Sequence, residues 1–397
     1  MTELAEKLLV DVDARRQHAV ALRRWLHRHP ELSFSEAETA ARVVAELHRL
    51  GIPCSYPGPG GGVIGRLTTD PALPTIALRA ELDALPGNDL TDPVYRSVYS
   101  DRMHACGHDA HMTMVLGAAR SLVQKPPDGN VVFIFQPAEE RGGGSRVMID
   151  AGALEGVSAI FGGHVTHEWP TGKLMIRKGA MTAQTDRFYI TITGKGGHGA
   201  RPHEAIDAVV IAALLITTLQ TLVSRQTNPV HPSVITVGKI EAGTAANVIA
   251  ESARLEGTVR TTFPDTRDHI HKGIRRMVEA MGELHDAEID LELHEGYPPV
   301  INTDAEVELV RGCVRSLYGL DALRTSPHPS MGSEDFSFYL QHVPGAFFRF
   351  GARRADWEPI PLHSPRFDID EDVLPIGAEF FDAIARAALR HYGSVGS

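Results

Sequence analysis

Val131–Gln136 reads as one continuous apolar strand that stops at Pro137 and leads at once to two adjacent acids, Glu139 and Glu140. A strand with one wet face alternates apolar and polar residues. A run without alternation belongs in a sheet covered on both faces. Ala159–Gly162 repeats the pattern and delivers His164. Side chains delivered from the carboxyl ends of buried strands fit an open α/β sheet. Around these strands, residues 14–29 read as a helix ended by Pro30. Ser35 is placed to cap a second helix, with Glu38 three residues later, running to about Leu50. Val63–Leu67 and Thr75–Arg79 read as strands, and 109–124 as a helix packed on the sheet.

The texture changes near residue 185. Arg187–Thr193 alternates as a strand, and a glycine- and histidine-rich loop follows. Then come a helix over 204–224, strands at 233–240 and 253–261, a helix over 265–283 and a strand at 288–293. That β-α-β-β-α-β order is the pattern of a small ferredoxin-like layer. A helix over 302–318 follows, and His363 comes later still. A chain of 397 residues, 43% hydrophobic, exceeds one core. The expectation is a catalytic domain in two parts, 1–184 and 297–397, interrupted by an insert over 185–296.

Composition narrows the function classes. The formal net charge is -11 and no basic tract could follow a phosphate backbone, which argues against nucleic acid. The N-terminus is polar, and no uninterrupted apolar run reads as a bilayer span, so no membrane is expected and the cytoplasm is the default location. Three cysteines are too few for a disulfide scaffold. Cys54 and Cys313 read as packing residues. Cys106 differs, because Met103-His104-Ala105-Cys106-Gly107-His108-Asp109-Ala110-His111 crowds it with imidazoles and a carboxylate.

Alternate spacing in a non-helical loop lets Cys106 and His108 face one centre. Cys106 reads as a metal ligand, a nucleophile or a packing residue, with the ligand role favoured by its neighbours. His104 and His111 either orient that cluster by hydrogen bonds or cap the following helix. Glu139 and Glu140, at the end of an apolar strand and before Gly142-Gly143-Gly144, allow one carboxylate to bind metal while the other accepts a proton. His164 and His363, the latter between Pro361 and Pro365, complete a five-ligand set for two ions sharing one group. In the insert, His198 within Gly194–Gly199 is placed to donate to a developing oxyanion. That loop lacks the spacing of a nucleotide-binding P-loop. Asn247 reads as a substrate contact or a turn residue, and Arg260 as a partner for a substrate carboxylate or a surface cation.

The chain resembles the M20 metallopeptidase family, in the amidohydrolase branch that holds hippurate hydrolases, aminoacylases and plant auxin-conjugate hydrolases. The motifs are WLHRHPELSF at 25–34, LRAELDALP at 78–86, MHACGHDAH at 103–111, FQPAEERGGG at 135–144, GKGGHGARPH at 194–203, GTAANVI at 243–249, MGSEDFSFY at 331–339 and PLHSPRFDID at 361–370. The resemblance implies an α/β fold: a mixed-sheet, zinc-peptidase-like catalytic domain with an inserted ferredoxin-like α+β lid and dimerisation domain. It implies that Cys106 bridges two divalent ions, with His108 and His164 on one side and Glu140 and His363 on the other. Glu139 matches the catalytic carboxylate, Asp83 a supporting acid, Glu334 a site-lining carboxylate, and His198 a histidine that reaches the neighbouring subunit's site. The chain departs from the pattern in FGGHVTHEWPTGKL, where His167 offers an alternative to His164. Gly199 and Ala250-Glu251 are further departures.

The expected reaction is hydrolysis of the amide bond of an N-acyl amino acid, N-acetyl, N-benzoyl or longer, to a carboxylic acid and a free amino acid. Zinc or manganese fits the donors, with cobalt or nickel able to replace them. The expected assembly is a homodimer or tetramer through the insert. Competing readings are a metallo-carboxypeptidase or dipeptidase, a thiol enzyme based on Cys106, and a noncatalytic binding protein with the same fold.

Overall fold

The computed structural model describes residues 3–395. It divides into two compact units. The first runs up to Gly179 and continues through Ile301–Pro327 and from Asp335 onward; the second comprises Ala180–Val300 and His328–Glu334. The last of these segments lies outside the insert bounds expected from sequence. It joins the second unit because Ala183 N–H donates to the Ser330 and Gly332 carbonyls at 2.8 and 3.0 Å.

The first unit is an α/β layer on a mixed sheet of eight strands. Their order is Cys54–Ser55, Val63–Leu67, Asn130–Gln136, Thr75–Glu81, Val157–Pro170, Gly345–Arg353, Leu174–Met175 and Leu323–Arg324. Thr75–Glu81 runs parallel to both neighbours, whereas Val63–Leu67 is antiparallel to Asn130–Gln136. Every residue of Asn130–Gln136 is buried, as its lack of alternation requires. Helices His108–Gln124, Asp304–Tyr318 and Val373–Val395 contribute Met112, Val115, Val310, Phe380 and Phe381 to the core that also takes Phe133, Phe348 and Phe350 from the sheet. Each fully buried phenylalanine of this kind contributes about 1.5–3 kcal/mol. On the other face Phe336 packs on Phe347, with ring centroids 5.3 Å apart.

Three local expectations change in this unit. The first helix, expected over 14–29, is longer and spans Glu3–Arg28. The second begins at Ala37 with Glu36 in the N-cap position and no side-chain cap, so Ser35 does not play that part. His164 does not follow a short strand. It sits inside the fourteen-residue strand Val157–Pro170, because Gly345–Arg353 pairs alongside and carries the ladder on through Arg349 opposite His164.

The second unit holds a four-stranded antiparallel sheet in the order Ser233–Ala242, Ser252–Thr261, Gln184–Thr193, Glu288–Glu295. Helices Ala208–Thr221 and Pro264–His285 pack on it through Ile211, Leu215, Leu219, Ile270, Ile274 and Val278. The first helix starts at Ala208 rather than 204, because the Asp207 carboxylate accepts from Val209 and Val210 N–H. Ala208–Gln226 is long and apolar enough to cross a membrane by length and composition, although Thr217, Thr218, Gln220 and Arg225 interrupt its apolar run. Its buried stripe forms the core of this unit.

Asp186 ties the unit together. Its carboxylate accepts from Arg267, from Gly296 N–H at 3.1 Å and from His271 Nε2 at 2.8 Å. Burial alone would raise its pKa. The His271 and Arg267 hydrogen bonds more than offset that and hold it below the usual carboxylate range. A depressed folded-state pKa adds stability above the unfolded value near 4 and loses it as pH falls toward the folded value. Asp186→Asn leaves Arg267 with only the exposed Glu295 as charge partner, at 3.2 Å, and is expected to cost about 3 kcal/mol. Urea unfolding at neutral pH, repeated in steps below about pH 4, checks both the loss and its decline in acid.

Candidate metal centre

Two strand ends, the interior of a third strand and two loops bring the donors of the first unit together. Thr75–Glu81 leads to Asp83, Asn130–Gln136 leads to Glu139 and Glu140, and the interior of Val157–Pro170 carries His164. The loop before helix His108–Gln124 supplies Cys106 and His108. Gly107 between them has φ +86°, and a Cβ there would lie 2.3 Å from Val165 Cγ2. Only glycine allows this close approach to the strand beside His164. Gly144 plays a similar part after the two acids, since a Cβ on it would lie 1.6 Å from the Pro137 carbonyl oxygen. His363 takes φ +67° and donates its N–H to the Ala105 carbonyl at 2.8 Å, which ties it to the cysteine loop.

The result is a chain of overlapping donor sets. Cys106, His108 and His164 offer ligand atoms all within 4.8 Å of one another; so do Cys106, Glu140 and His363, and so do His108, Glu139 and Glu140. Cys106 Sγ lies 3.2 Å from His164 Nε2, and His363 Nε2 lies 3.4 Å from Glu140 Oε1. Cys106, His108, Glu139 and His164 are buried, while the His363 side chain is half exposed.

Supporting hydrogen bonds fix which imidazole nitrogen faces the centre. His108 Nδ1–H donates to the Asp83 carbonyl at 2.8 Å, and Nε2 is buried without a partner among the described residues. His164 Nδ1–H donates to the Val165 carbonyl at 2.7 Å, which turns Nε2 toward Cys106. The Val165 peptide is held in turn, because its N–H donates to His111 Nε2 at 2.9 Å and His111 Nδ1–H donates to Glu81 Oε2 at 2.7 Å. Glu81 also pairs with the buried Arg79, which reaches Asp335 Oδ1 at 2.8 Å. His111 is thus an orienting residue for His164.

His167 is excluded as a substitute for His164. It accepts Ile360 N–H on Nδ1 at 3.1 Å and donates Nε2–H to the Asp368 carbonyl at 2.7 Å. His104 is buried with neither nitrogen partnered among the described residues. Burial pushes its pKa down to about 4. Burial likewise drives His164 and His111 well below the usual imidazole range, so both are neutral. Burial also opposes charge on His108, but the hydrogen bond and charge of Asp83 outweigh it and the net shift is upward. Asp83 Oδ2 accepts from Ser33 Oγ–H at 2.8 Å and from Glu140 N–H at 3.0 Å. Behind the loop, Arg23 and His27 of the first helix bond to Asp109 Oδ2 at 2.8 and 2.7 Å.

The other candidates belong to the second unit. His198 is exposed on a two-stranded ribbon opposite Val248, and its Nδ1 accepts Ala200 N–H at 3.0 Å. Asn247 is a turn residue just before that ribbon's Val248, with its carbonyl accepting Gly199 N–H at 2.9 Å. Arg260 is half-buried and donates to the Met331 carbonyl at 2.8 Å, while Glu334, further along that segment, is buried. Sequence reasoning missed Glu36, Ser33, Arg79, Glu81 and Asp335. The one available signal was a pair of charges, Arg79 and Glu81, inside an otherwise apolar strand.

The model of "Peptidase family M20/M25/M40" matches residues 77–387. The chain belongs to this family. "IAA-amino acid hydrolase ILR1-like 4" of Arabidopsis thaliana is 40% identical over 92% of this chain and 84% of its own length. "Thermostable carboxypeptidase 2" of Saccharolobus solfataricus is 37% identical over 95% and 96%. The crystal structure of the Bacillus subtilis YXEP protein, described as a dinuclear metal binding peptidase from the M20 family, superposes with TM-score 0.83 at 33% identity, covering 95% of this chain and 99% of that one. The M20 chain described here is a hydrolase of the amidohydrolase branch, built on an α/β fold with a mixed central sheet.

Proposed function

We propose that this M20 hydrolase cleaves the amide bond of N-acyl amino acids (N-acetyl, N-benzoyl or longer), releasing a carboxylic acid and a free amino acid. The observation that carries the reading is the linked set of donors through Cys106 and His108, next to Glu139. The donors fit divalent ions. His108 Nε2 and Glu140 Oε1 are buried and make no hydrogen bond among the described residues, and the set offers one sulfur, imidazole nitrogens and carboxylate oxygens. Cys106, His108 and His164 would hold one ion, and Cys106, Glu140 and His363 a second, zinc or manganese by preference. Bound there, the ions supply Lewis acidity that polarises a carbonyl and makes water easier to deprotonate.

Glu139 takes a proton from the attacking water and later delivers it to the departing amine. Its burial keeps the carboxylate away from bulk solvent. His198 donates to the oxygen of the tetrahedral intermediate, and Asn247, Arg260 and Glu334 bind the substrate. The second unit acts as a ferredoxin-like lid and pairing module, placing His198 at the site of a neighbouring subunit in a homodimer or tetramer. Exposed Val209, Val210 and Leu214 on one helix support a subunit contact there. Mixing inactive Glu139→Gln and His198→Ala chains is expected to restore part of the activity; no recovery in verified mixed dimers refutes action across subunits.

The decisive experiment is hydrolysis of a broad panel of N-acetyl, N-benzoyl and longer N-acyl amino acids by ion-loaded protein, with both products identified. Release of C-terminal residues from peptides, with no acyl amino acid cleaved, would instead establish the carboxypeptidase reading.

A further inference from the structure

We infer that Glu36 is a positioning residue that fixes the turn presenting Glu139 and Glu140. Glu36 occupies the N-cap position of helix Ala37–Arg49, where a carboxylate commonly accepts from the first turn of its own helix; here it makes no side-chain cap. Its Oε1 instead accepts the N–H of Ala138, 102 positions away, at 2.8 Å, in a contact buried on both sides. Ala138 is one of four non-glycine residues with positive φ among the described residues, at +49°. For an L-residue with a Cβ that conformation costs about 1–2 kcal/mol, so a neighbour must hold it. Two residues on, Glu140 N–H donates to Asp83 Oδ2 at 3.0 Å. The amides on either side of Glu139 are therefore each gripped by a buried carboxylate. The backbone between them has little freedom, and Glu139 starts from a fixed point. Asp83 also carries the carbonyl that orients His108. The Glu36 carboxylate also faces the backbone N–H groups of Phe34 and of its own residue.

Burial pushes the Glu36 carboxyl up to about 7. The contact does not depend on charge, since the carbonyl oxygen of a neutral acid or an amide accepts equally well. Glu36→Gln is therefore the conservative variant, and Glu36→Met removes the acceptor at similar volume. Thr39→Ala is the control. Thr39 N–H and Oγ–H both bond to Glu31, and that change removes only the hydroxyl bond, loosening the start of the same helix without touching Ala138.

The inference rests on reading Glu139 as the proton carrier, so one readout is independent of hydrolysis. Amide hydrogen exchange over 137–141, followed by mass spectrometry on protein without added ions, is expected to rise in Glu36→Met and to match the parent in Glu36→Gln and Thr39→Ala. In ion-loaded protein, kcat is expected to fall about 10–100-fold in Glu36→Met. KM should stay within about threefold and ion content should be unchanged, while Glu36→Gln stays within about threefold of the parent in kcat. Unchanged exchange in Glu36→Met overturns the inference. So does an equal kcat loss in Glu36→Gln, or a Thr39→Ala variant as slow as Glu36→Met. A parent chain inactive on every amide would refute the functional reading, and the exchange comparison would still decide whether Glu36 holds the turn.

Discussion

Glu139→Gln is expected to lower turnover about 10²–10⁴-fold while the protein keeps two ions per chain. Glutamine preserves volume and hydrogen-bonding capacity but cannot carry a proton from water to the leaving amine. The neighbouring Glu140→Gln should behave differently and lose ion content along with activity, because Glu140 shares its donor set with Cys106 and His363. The contrast matters because His108, Glu139 and Glu140 also form a compact donor set, so proximity alone does not divide the labour between the two acids. Steady-state kinetics and elemental analysis on both variants make the division. Ion loss in Glu139→Gln with retention in Glu140→Gln would reverse the roles.

Cys106, His108, Glu139 and Glu140, which the structure gathers, lie in local patterns with a physical cause. A strand without alternation had to be buried on both faces, and Asn130–Gln136 is, with its acids delivered just beyond it. The Cys106-Gly107-His108 spacing read as a loop, and Gly107 at φ +86° shows why it cannot be helix. What sequence could not supply was long-range pairing. Strand Val157–Pro170 continues through His164 only because Gly345–Arg353 lies alongside, a partnership without a local signal. The same limit hid the supports. His111 orients His164 through the Val165 peptide, and Glu36 reaches Ala138 across 102 positions. Glu36 looked like an ordinary residue at a helix start, because periodicity reports which face a residue takes and not which distant amide it meets.

Removing divalent ions with a chelator is expected to abolish hydrolysis, and adding them back to restore it; a thiol reaction based on Cys106 would survive the treatment. The donor sets make this sharper. Cys106 belongs to the set with His108 and His164 and to the set with Glu140 and His363. His164 and His363 each join Cys106 in only one of these. After dialysis, His164→Ala and His363→Ala should each retain about one ion, whereas Cys106→Ala should approach none, because both sites lose their common donor at once. Stability should follow occupancy. Ions that bind only the folded chain add RT ln(1 + [L]/Kd), about 4 kcal/mol at a thousandfold excess over Kd. The melting temperature of the parent should therefore climb with added ion, and that of Cys106→Ala should respond least. A Cys106→Ala chain that keeps two ions would show that the sulfur is not shared, and full activity in chelated parent protein would remove the ions from the chemistry altogether.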